Sequence, residues 1–374
     1  MNLASVFVKY RRLLLAVGTV LFTLATVPRF ICGWDADAVF DSADDTRSPL
    51  SSLSDRVAVT RHYYETGNSR FDGQSAVAID QMTIMGLSQI IQRHPEQIRA
   101  YLPAMQGTAV HLADPRTLAY AAQRYGHSGL VSMGNGEGHA YLGYINLGLG
   151  MLRVVDPDTE YKALNDRLSA QLAARLFSSP TGLIETYPGE TWPPDVAAVA
   201  GSIALQSKLA GIDRSADFAR WKKRFTACAI DKTGYLVQRV RSGTCIPVDA
   251  PRGSGTAVAA YFLSFADRDL SLQLHQALEE RTLFGFGAIR EYAAGFSGKG
   301  DGNAGPMVFG VSVGATGFAL GSAAANRDRA LFRRLYRTLD LFGVPAGSPL
   351  GNGFATGGGL GDALLLAMLG ARPS

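Results

Sequence analysis

The stretch from Glu185 to Gly201, ETYPGETWPPDVAAVAG, sets three carboxylates and two aromatic rings just ahead of a run of small residues. Pro193 and Pro194 suit a first helical turn, where their missing N–H groups would be unpaired anyway. Asp195 then sits near the positive end of a helix dipole. That position favours an ionised carboxylate acting as general base or cation stabiliser. A second carboxyl in a drier setting would hold its proton and act as the acid, the division of labour seen in glycosidases. Glu190 is a candidate for that role, and Glu185 shares its loop. Trp192 follows Glu190 by two residues and would stack on a sugar ring or an apolar ligand, with Tyr187 on the same loop. The plainer alternative is a well-capped helix start bearing solvated acids.

Two further clusters carry comparable groups. Tyr141 and Tyr144 lie three apart on one helix face, with Glu137 and His139 just upstream. A tyrosine there would donate a proton to a leaving oxygen or serve as a core ring with one satisfied hydroxyl. Asp301, in Asp-Gly-Asn-Ala-Gly-Pro306, would open another helix, with Pro306 in its first turn. Arg290, in Arg290-Glu291-Tyr292, would hold an anionic group or form a surface ion pair. Asp72 and Asp362 occupy corresponding places, and an acid near every helix start is also ordinary capping. Gly310–Gly314 matches the letters of a nucleophile elbow but lies in an apparent helix, which weakens a serine-hydrolase reading. The six histidines show no metal-ligand spacing, and no nucleotide-binding fingerprint appears. No metal and no cofactor are expected.

The elements that would position these groups repeat. Loops of Gly, Asn, Asp or Pro at Asp72, Asn135–Gly138, Trp192–Asp195, Arg252–Gly255, Asp301–Pro306 and Gly357–Asp362 each open a run rich in Ala, Gly and Leu. Their spacing of roughly 50–65 residues suggests stacked supersecondary units. Amphipathic, charged stretches alternate with them, such as Glu160–Leu176, Ser215–Phe225 and Asp328–Phe342, whose apolar residues recur at three and four. Nearly uncharged helices must be surrounded by protein, with the charged ones outside. Six inner helices alternating with outer ones describe an all-α (α/α)6 toroid, its inner N-termini converging on one rim. A linear helical solenoid is the alternative. A small β-hairpin insertion is expected around Gly234, with Cys228 and Cys245 flanking it as a disulfide or as two buried thiols.

The chain has 374 residues, 47% hydrophobic and 18% charged, with a formal charge of +4. No basic block is interleaved with aromatics, so nucleic acid is not an expected partner. Lys9, Arg11 and Arg12 precede the apolar run Leu13–Val27, and an acidic segment follows. This order describes a signal anchor or a signal peptide over residues 1–33, with the positive flank in the cytoplasm. Residues 34–54 then form a flexible polar linker, and residues 55–374 the toroid. The expected location is the inner membrane facing the periplasm, or the periplasm itself if the signal is cleaved.

From about Glu137 to Arg334 the sequence resembles the linalool dehydratase/isomerase family, whose catalytic domain is such a toroid. The resemblance rests on Tyr141-Leu-Gly143-Tyr-Ile-Asn146-Leu147, on Thr186-Tyr187-Pro188 through Asp195, on the hairpin around Gly234, and on Arg290-Glu291 with Asp301-Gly302. Two cysteines bracket the proline loop in that family, and Thr186 and Asp195 stand at those positions here. The family's histidine falls at Tyr144. The thiol and imidazole chemistry therefore does not carry over. Within the wider six-hairpin superfamily, glycoside hydrolases and polysaccharide lyases use carboxylate and tyrosine chemistry. The first expectation is thus a carbohydrate-active enzyme with Asp195 as base, Glu190 or Asp301 as acid and Tyr144 orienting. Its ligand contacts would come from Trp192, Tyr141, Tyr187, Glu137, His139 and Arg290. A dehydratase or isomerase acting on a hydrophobic alcohol is the second, and a non-catalytic toroid binding glycan or lipid the third.

Overall fold

Helices with almost no charged side chains have no face to give to water, and their packing sets the architecture. The computed structural model of the chain describes residues 3–41, 49–59, 63–120, 129–135, 140–302, 304–343, 345–348, 351–354 and 357–373. In chain order the helices are α1 (Leu3–Thr26), α2 (Pro28–Ile31), α3 (Ala36–Asp41), α4 (Pro49–Val59), α5 (Ser69–Arg93), α6 (Ile98–Leu112) and α7 (Gly129–Asn135). There follow α8 (Leu142–Val155), α9 (Lys162–Ser178), α10 (Pro193–Ala210), α11 (Ser215–Ala229), α12 (Gly253–Leu263) and α13 (Arg268–Ala277). The last are α14 (Val313–Ala325), α15 (Arg329–Gly343) and α16 (Gly358–Gly370). The fold is mostly helical, and its strands form only small antiparallel pairs.

The small-residue helices pack on one another in a cycle. α5 contacts α8, α8 contacts α10, α10 contacts α12, α12 contacts α14, α14 contacts α16, and α16 returns to α5. Around them α6 lies on α5, α9 on α8 and α10, α13 on α12, α15 on α14, and α4 on α16. Small side chains permit the close approach: a Cβ at Gly143 of α8 would fall 2.7 Å from the backbone nitrogen of Val199 in α10. Buried amides and hydroxyls lock the same layer. Asn146 donates to Ser169 and Ser202, and Asn165 donates to Asn146. The outer helices turn one stripe inward, as α11 does with Trp221 and Phe225.

Short strand pairs lie between the helices. β1 (Glu190–Thr191) pairs with β2 (Val240–Arg241), β3 (Glu280–Leu283) with β4 (Phe286–Ile289), β5 (Met307–Val308) with β6 (Val311–Ser312), and β7 (Pro345–Ser348) with β8 (Gly351–Phe354). A disulfide joins Cys228 at the end of α11 to Cys245 just past β2.

Three expectations need correction. The helix expected to open at Asp301 begins at Val313, after the β5–β6 pair, and Ser312 caps it by accepting from the Ala315 N–H. Gly310–Ser312 therefore belongs to a turn and strand rather than a helix. The polar stretch 34–54 is not simply a flexible linker. Asp37 in α3 pairs with Arg333 of α15, and Leu50 and Leu53 of α4 are buried. Ahead of it, α1 is exposed at Tyr10, Arg11 and residues 13–23. It is the one helix among the described residues long and apolar enough to cross a membrane, a property shared by membrane anchors and signal sequences.

Candidate active site

The loop before α10 is built by a tight turn. Pro188 and Gly189 occupy its centre, Gly189 takes φ +77°, and the Glu190 N–H donates to the Tyr187 carbonyl at 2.8 Å. Pairing of β1 with β2 then fixes Glu190 and Thr191, and the disulfide ties the partner segment back to α11. The Trp192 N–H donates to the Thr186 hydroxyl at 3.2 Å. With the loop so held, Pro193 and Pro194 fill the first turn of α10 and Asp195 points across to α8.

There the Tyr144 hydroxyl donates to Asp195 Oδ1 at 2.6 Å. Burial pushes the Asp195 carboxyl up to about 6, against the pull of hydrogen bonds from Tyr144 and Thr186 and of the Arg70 charge. Removal from water outweighs the helix end and raises the group toward neutrality, although a carboxyl at about 6 is still mostly ionised at pH 7. Burial also holds the Tyr144 phenol well above its usual range, with the Asp195 charge adding to the effect. Tyr144 is therefore a lasting donor. Asp195 is the group able both to give and to take a proton.

Aromatic rings wall this pair. Tyr141, at the start of α8, packs between Tyr120 and Tyr187, with ring centroids 6.1 and 6.0 Å away. The Tyr187 hydroxyl accepts from Gln74 at 2.7 Å and donates to Tyr120 at 3.5 Å. The Arg70 guanidinium lies over the Tyr187 ring, 4.6 Å from its centre. Phe262 of α12 meets the Tyr144 ring edge-on. The arrangement suits a proton transfer beside a substrate whose body is apolar or whose transition state is cationic.

The other expected acids are engaged elsewhere. Glu190 pairs with Arg70 at 3.2 Å and Arg239 at 3.7 Å, and accepts the Trp192 indole N–H at 3.2 Å. These partners take up both of its carboxyl oxygens. Arg239 also lies over the Trp192 ring, so the expected stacking platform already carries a cation. Asp301 pairs with Arg252 at 2.6 Å, and Arg290 with Glu279 at 2.8 Å. Asp72 binds Thr66 locally, and Asp362 pairs with Arg56. Glu137 and His139 lie outside the described residues.

The rim is nevertheless shared. A Cβ at Gly255, in the first turn of α12, would lie 3.0 Å from Pro194, and Asp301 meets Arg252 at the same helix start. Gly302 lies close to Phe71 in the first turn of α5. Arg70, Gln74 and Tyr120 are the participants to which sequence reading assigned no role, and Glu291 entered it only beside Arg290. Arg70 and Gln74 flank the noted Asp72-Gly73, so the helix start was the available signal. Tyr120 carried none. Glu291, next to the expected Arg290, is fully buried and accepts from the Ser254 and Ser312 hydroxyls at 2.7 Å each, tying the starts of α12 and α14 together. A surface groove of about 800 Å³ lined by Phe218, Lys222, Thr226 and Gln273 lies on the outer layer and includes none of these residues.

Comparison of the chain with family models and with curated proteins found no match.

Proposed function

We propose that the cycle of inner helices is a closed (α/α)6 toroid and that the chain is a membrane-tethered acid/base enzyme of the dehydratase/isomerase type, acting on a hydrophobic alcohol. The carrying observation is the Tyr144–Asp195 pair: one protonatable carboxyl, held by a phenol, inside an aromatic wall. In the forward step protonated Asp195 gives its proton to the substrate hydroxyl, the C–O bond breaks and water leaves. The carboxylate so formed takes a proton from the neighbouring carbon, whose C–H electrons become the new double bond. Tyr144 keeps its own proton throughout and orients the carboxylate, beside the rings of Tyr141, Tyr187 and Tyr120, which exclude water from it. No net proton is consumed, and the reverse sequence at another carbon gives isomerisation. The resemblance to the linalool dehydratase/isomerase family supports this class of substrate, with Asp195 and Tyr144 in place of thiol and imidazole.

The proposed setting is the periplasmic face of the inner membrane. Lys9, Arg11 and Arg12 favour a cytoplasmic N-terminus, and a disulfide in the body favours an oxidising compartment. Glycoside cleavage is the second reading, favoured by Glu190 and Trp192 standing together at the loop. It requires Glu190 to leave Arg70 and Arg239 before it can act as acid.

The test is to incubate the purified full-length protein with tertiary and allylic alcohols and, separately, with envelope oligosaccharides, following products by mass. Loss of water from an alcohol, abolished in Asp195→Asn and retained in Glu190→Gln, is the expected result. Oligosaccharide cleavage that depends on Glu190 would replace the proposal with the second reading. Products indifferent to Asp195→Asn would remove Asp195 from the mechanism, and no product from either class would leave a non-catalytic toroid.

A further inference from the structure

The segment after α1 is fastened to the body at one particular place. The Gly33 N–H donates to Asp340 Oδ2 at 2.8 Å, and Arg333 pairs with Asp37, so the chain leaves α1 against the C-terminal part of α15. Gly285, in the β3–β4 turn, lies beside Arg29, whose Cβ would be 3.8 Å from a Cβ built on the glycine. Around this exit apolar side chains face outward. Phe30, Ile31 and Trp34 are 67, 63 and 83% exposed, and Leu283 and Phe284 at the turn are 68 and 54% exposed. Phe309, at the neighbouring β5–β6 turn, is fully exposed. Apolar side chains held in water in this way would be stabilised by an apolar phase.

These residues share one end of the molecule with the candidate site. α14 and α15 are joined by the short turn Asn326–Asp328 and run antiparallel, so the end of α15 returns to the level at which α14 begins. That level is the rim: Ser312 at the start of α14 and Ser254 at the start of α12 share Glu291, and α12 abuts Pro194 of α10. A bridge between Arg290 and Val311 joins the two hairpins whose turns carry the exposed rings. α1 itself has 24 residues, about 36 Å of helix, enough for a bilayer core. Cationic groups stand among the rings. Arg29 lies over Phe30, and Arg281 is exposed on β3.

We propose that this rim is a membrane-facing surface. α1 spans the bilayer; Phe30, Ile31, Trp34, Leu283, Phe284 and Phe309 enter the interfacial layer; and Arg29 and Arg281 meet acidic headgroups. The candidate site lies at that end, and on this reading its substrate is a hydroxylated amphiphile drawn from the leaflet rather than from bulk water. The substrate class rests on the acid/base reading above, whereas the lipid contact stands independently of it. A bilayer is favoured over a protein partner because the patch is continuous with the exit of α1.

The experiment uses the full-length chain with Cys32→Ser, reconstituted in vesicles of phosphatidylcholine and phosphatidylglycerol. A polarity-sensitive label is attached through Phe284→Cys, Phe309→Cys or Asp158→Cys, the last lying in the α8–α9 turn at the opposite end. Blue-shifted emission at positions 284 and 309, quenched about twofold or more by brominated lipid, with water-like emission at 158, is expected. Water-like emission at either 284 or 309 while α1 is integrated overturns the proposal, as does equal quenching at all three positions. The same measurement on Asp195→Asn should be unchanged, so failure of the chemistry and failure of the lipid contact are read separately.

Discussion

Asp195 feels opposing influences, and their balance decides what it does. A helix start, two hydroxyl donors and a nearby guanidinium favour its charge, yet removal from water wins and raises it to about 6. If the protonated form starts the reaction, turnover falls as pH rises through about 6, and Asp195→Asn lowers it at least about tenfold with the fold intact. Stability gives an independent readout. The folded carboxyl lies above its ordinary value of 3.8, so folding favours the proton and ionisation costs stability. That cost is absent below about pH 4, grows between 4 and 6, and is complete above. Asp195→Asn should therefore be more stable than the natural chain at pH 7, by on the order of 1–3 kcal/mol, and little different at pH 4, as urea unfolding at the two pH values would show. Pro193-Pro194-Asp195 announced a helix start in the sequence. Of the aromatic wall that dries the carboxyl, Tyr141, Tyr144 and Tyr187 stood out in the sequence, whereas Tyr120, 75 positions before Asp195, and Phe262, 67 after it, did not, because only the fold brings them to the carboxyl. Tyr120 illustrates the difficulty. Its seat is Gly73, where an added Cβ would fall 2.2 Å from the Tyr120 ring, so Gly73→Ala should displace that ring and cost roughly 1–3 kcal/mol in thermal or urea unfolding.

At the level of elements, regular features were easier to read than inserted ones. The uncharged inner helices and the striped outer ones followed from composition and a period of three to four, and the observed helices α9, α11 and α15 lie close to where those patterns put them. The start of α14 did not. Glycines and a proline at 302–306 have the letters of a helix start, but a two-residue strand pair intervenes, and the decisive cap is the single hydroxyl of Ser312. The strand pair beside the site has a definite energetic consequence. β1, which bears Glu190 and Thr191, takes β2 as its strand partner, and the β2 segment is tied to α11 by Cys228–Cys245. A bridge closing a loop of 17 residues restricts the unfolded chain by about 3 kcal/mol. The Cys228→Ser, Cys245→Ser double variant should lose stability of that order under non-reducing urea unfolding. Its hydrogen exchange should rise at residues 190–192 as well as 240–246, whereas a rise confined to the second segment would show that the site loop stands without the clip.

Over the whole molecule the arrangement of inner helices requires that the last one meet the first, and the chain does this with elements from its two ends. α16 packs on α5 and α14, and α4, from the stretch read as linker, covers α16. The repeats made the inner helices legible, but α4 is polar in letters, with Ser51, Ser52, Ser54 and Asp55, and only Leu50, Leu53 and Val57 mark its inward stripe. Among the polar contacts joining the ends, Arg56 donates to Asp362 at 2.8 Å, with the Asp362 side chain 8% exposed. Removing the guanidinium in Arg56→Ala leaves a mostly buried carboxylate short of its cation, at a cost of roughly 1–3 kcal/mol. Deleting residues 357–374 is far more severe, because it strips the facing surfaces of α5 and α14 of their cover. If the helices form one closed cooperative unit, the truncated chain should lose its single sharp unfolding transition and bind a hydrophobic dye at rest, while Arg56→Ala keeps one transition at lower urea. A truncated chain that still unfolds in one step near the natural midpoint would mean that the helices form an open stack, in which end units are dispensable.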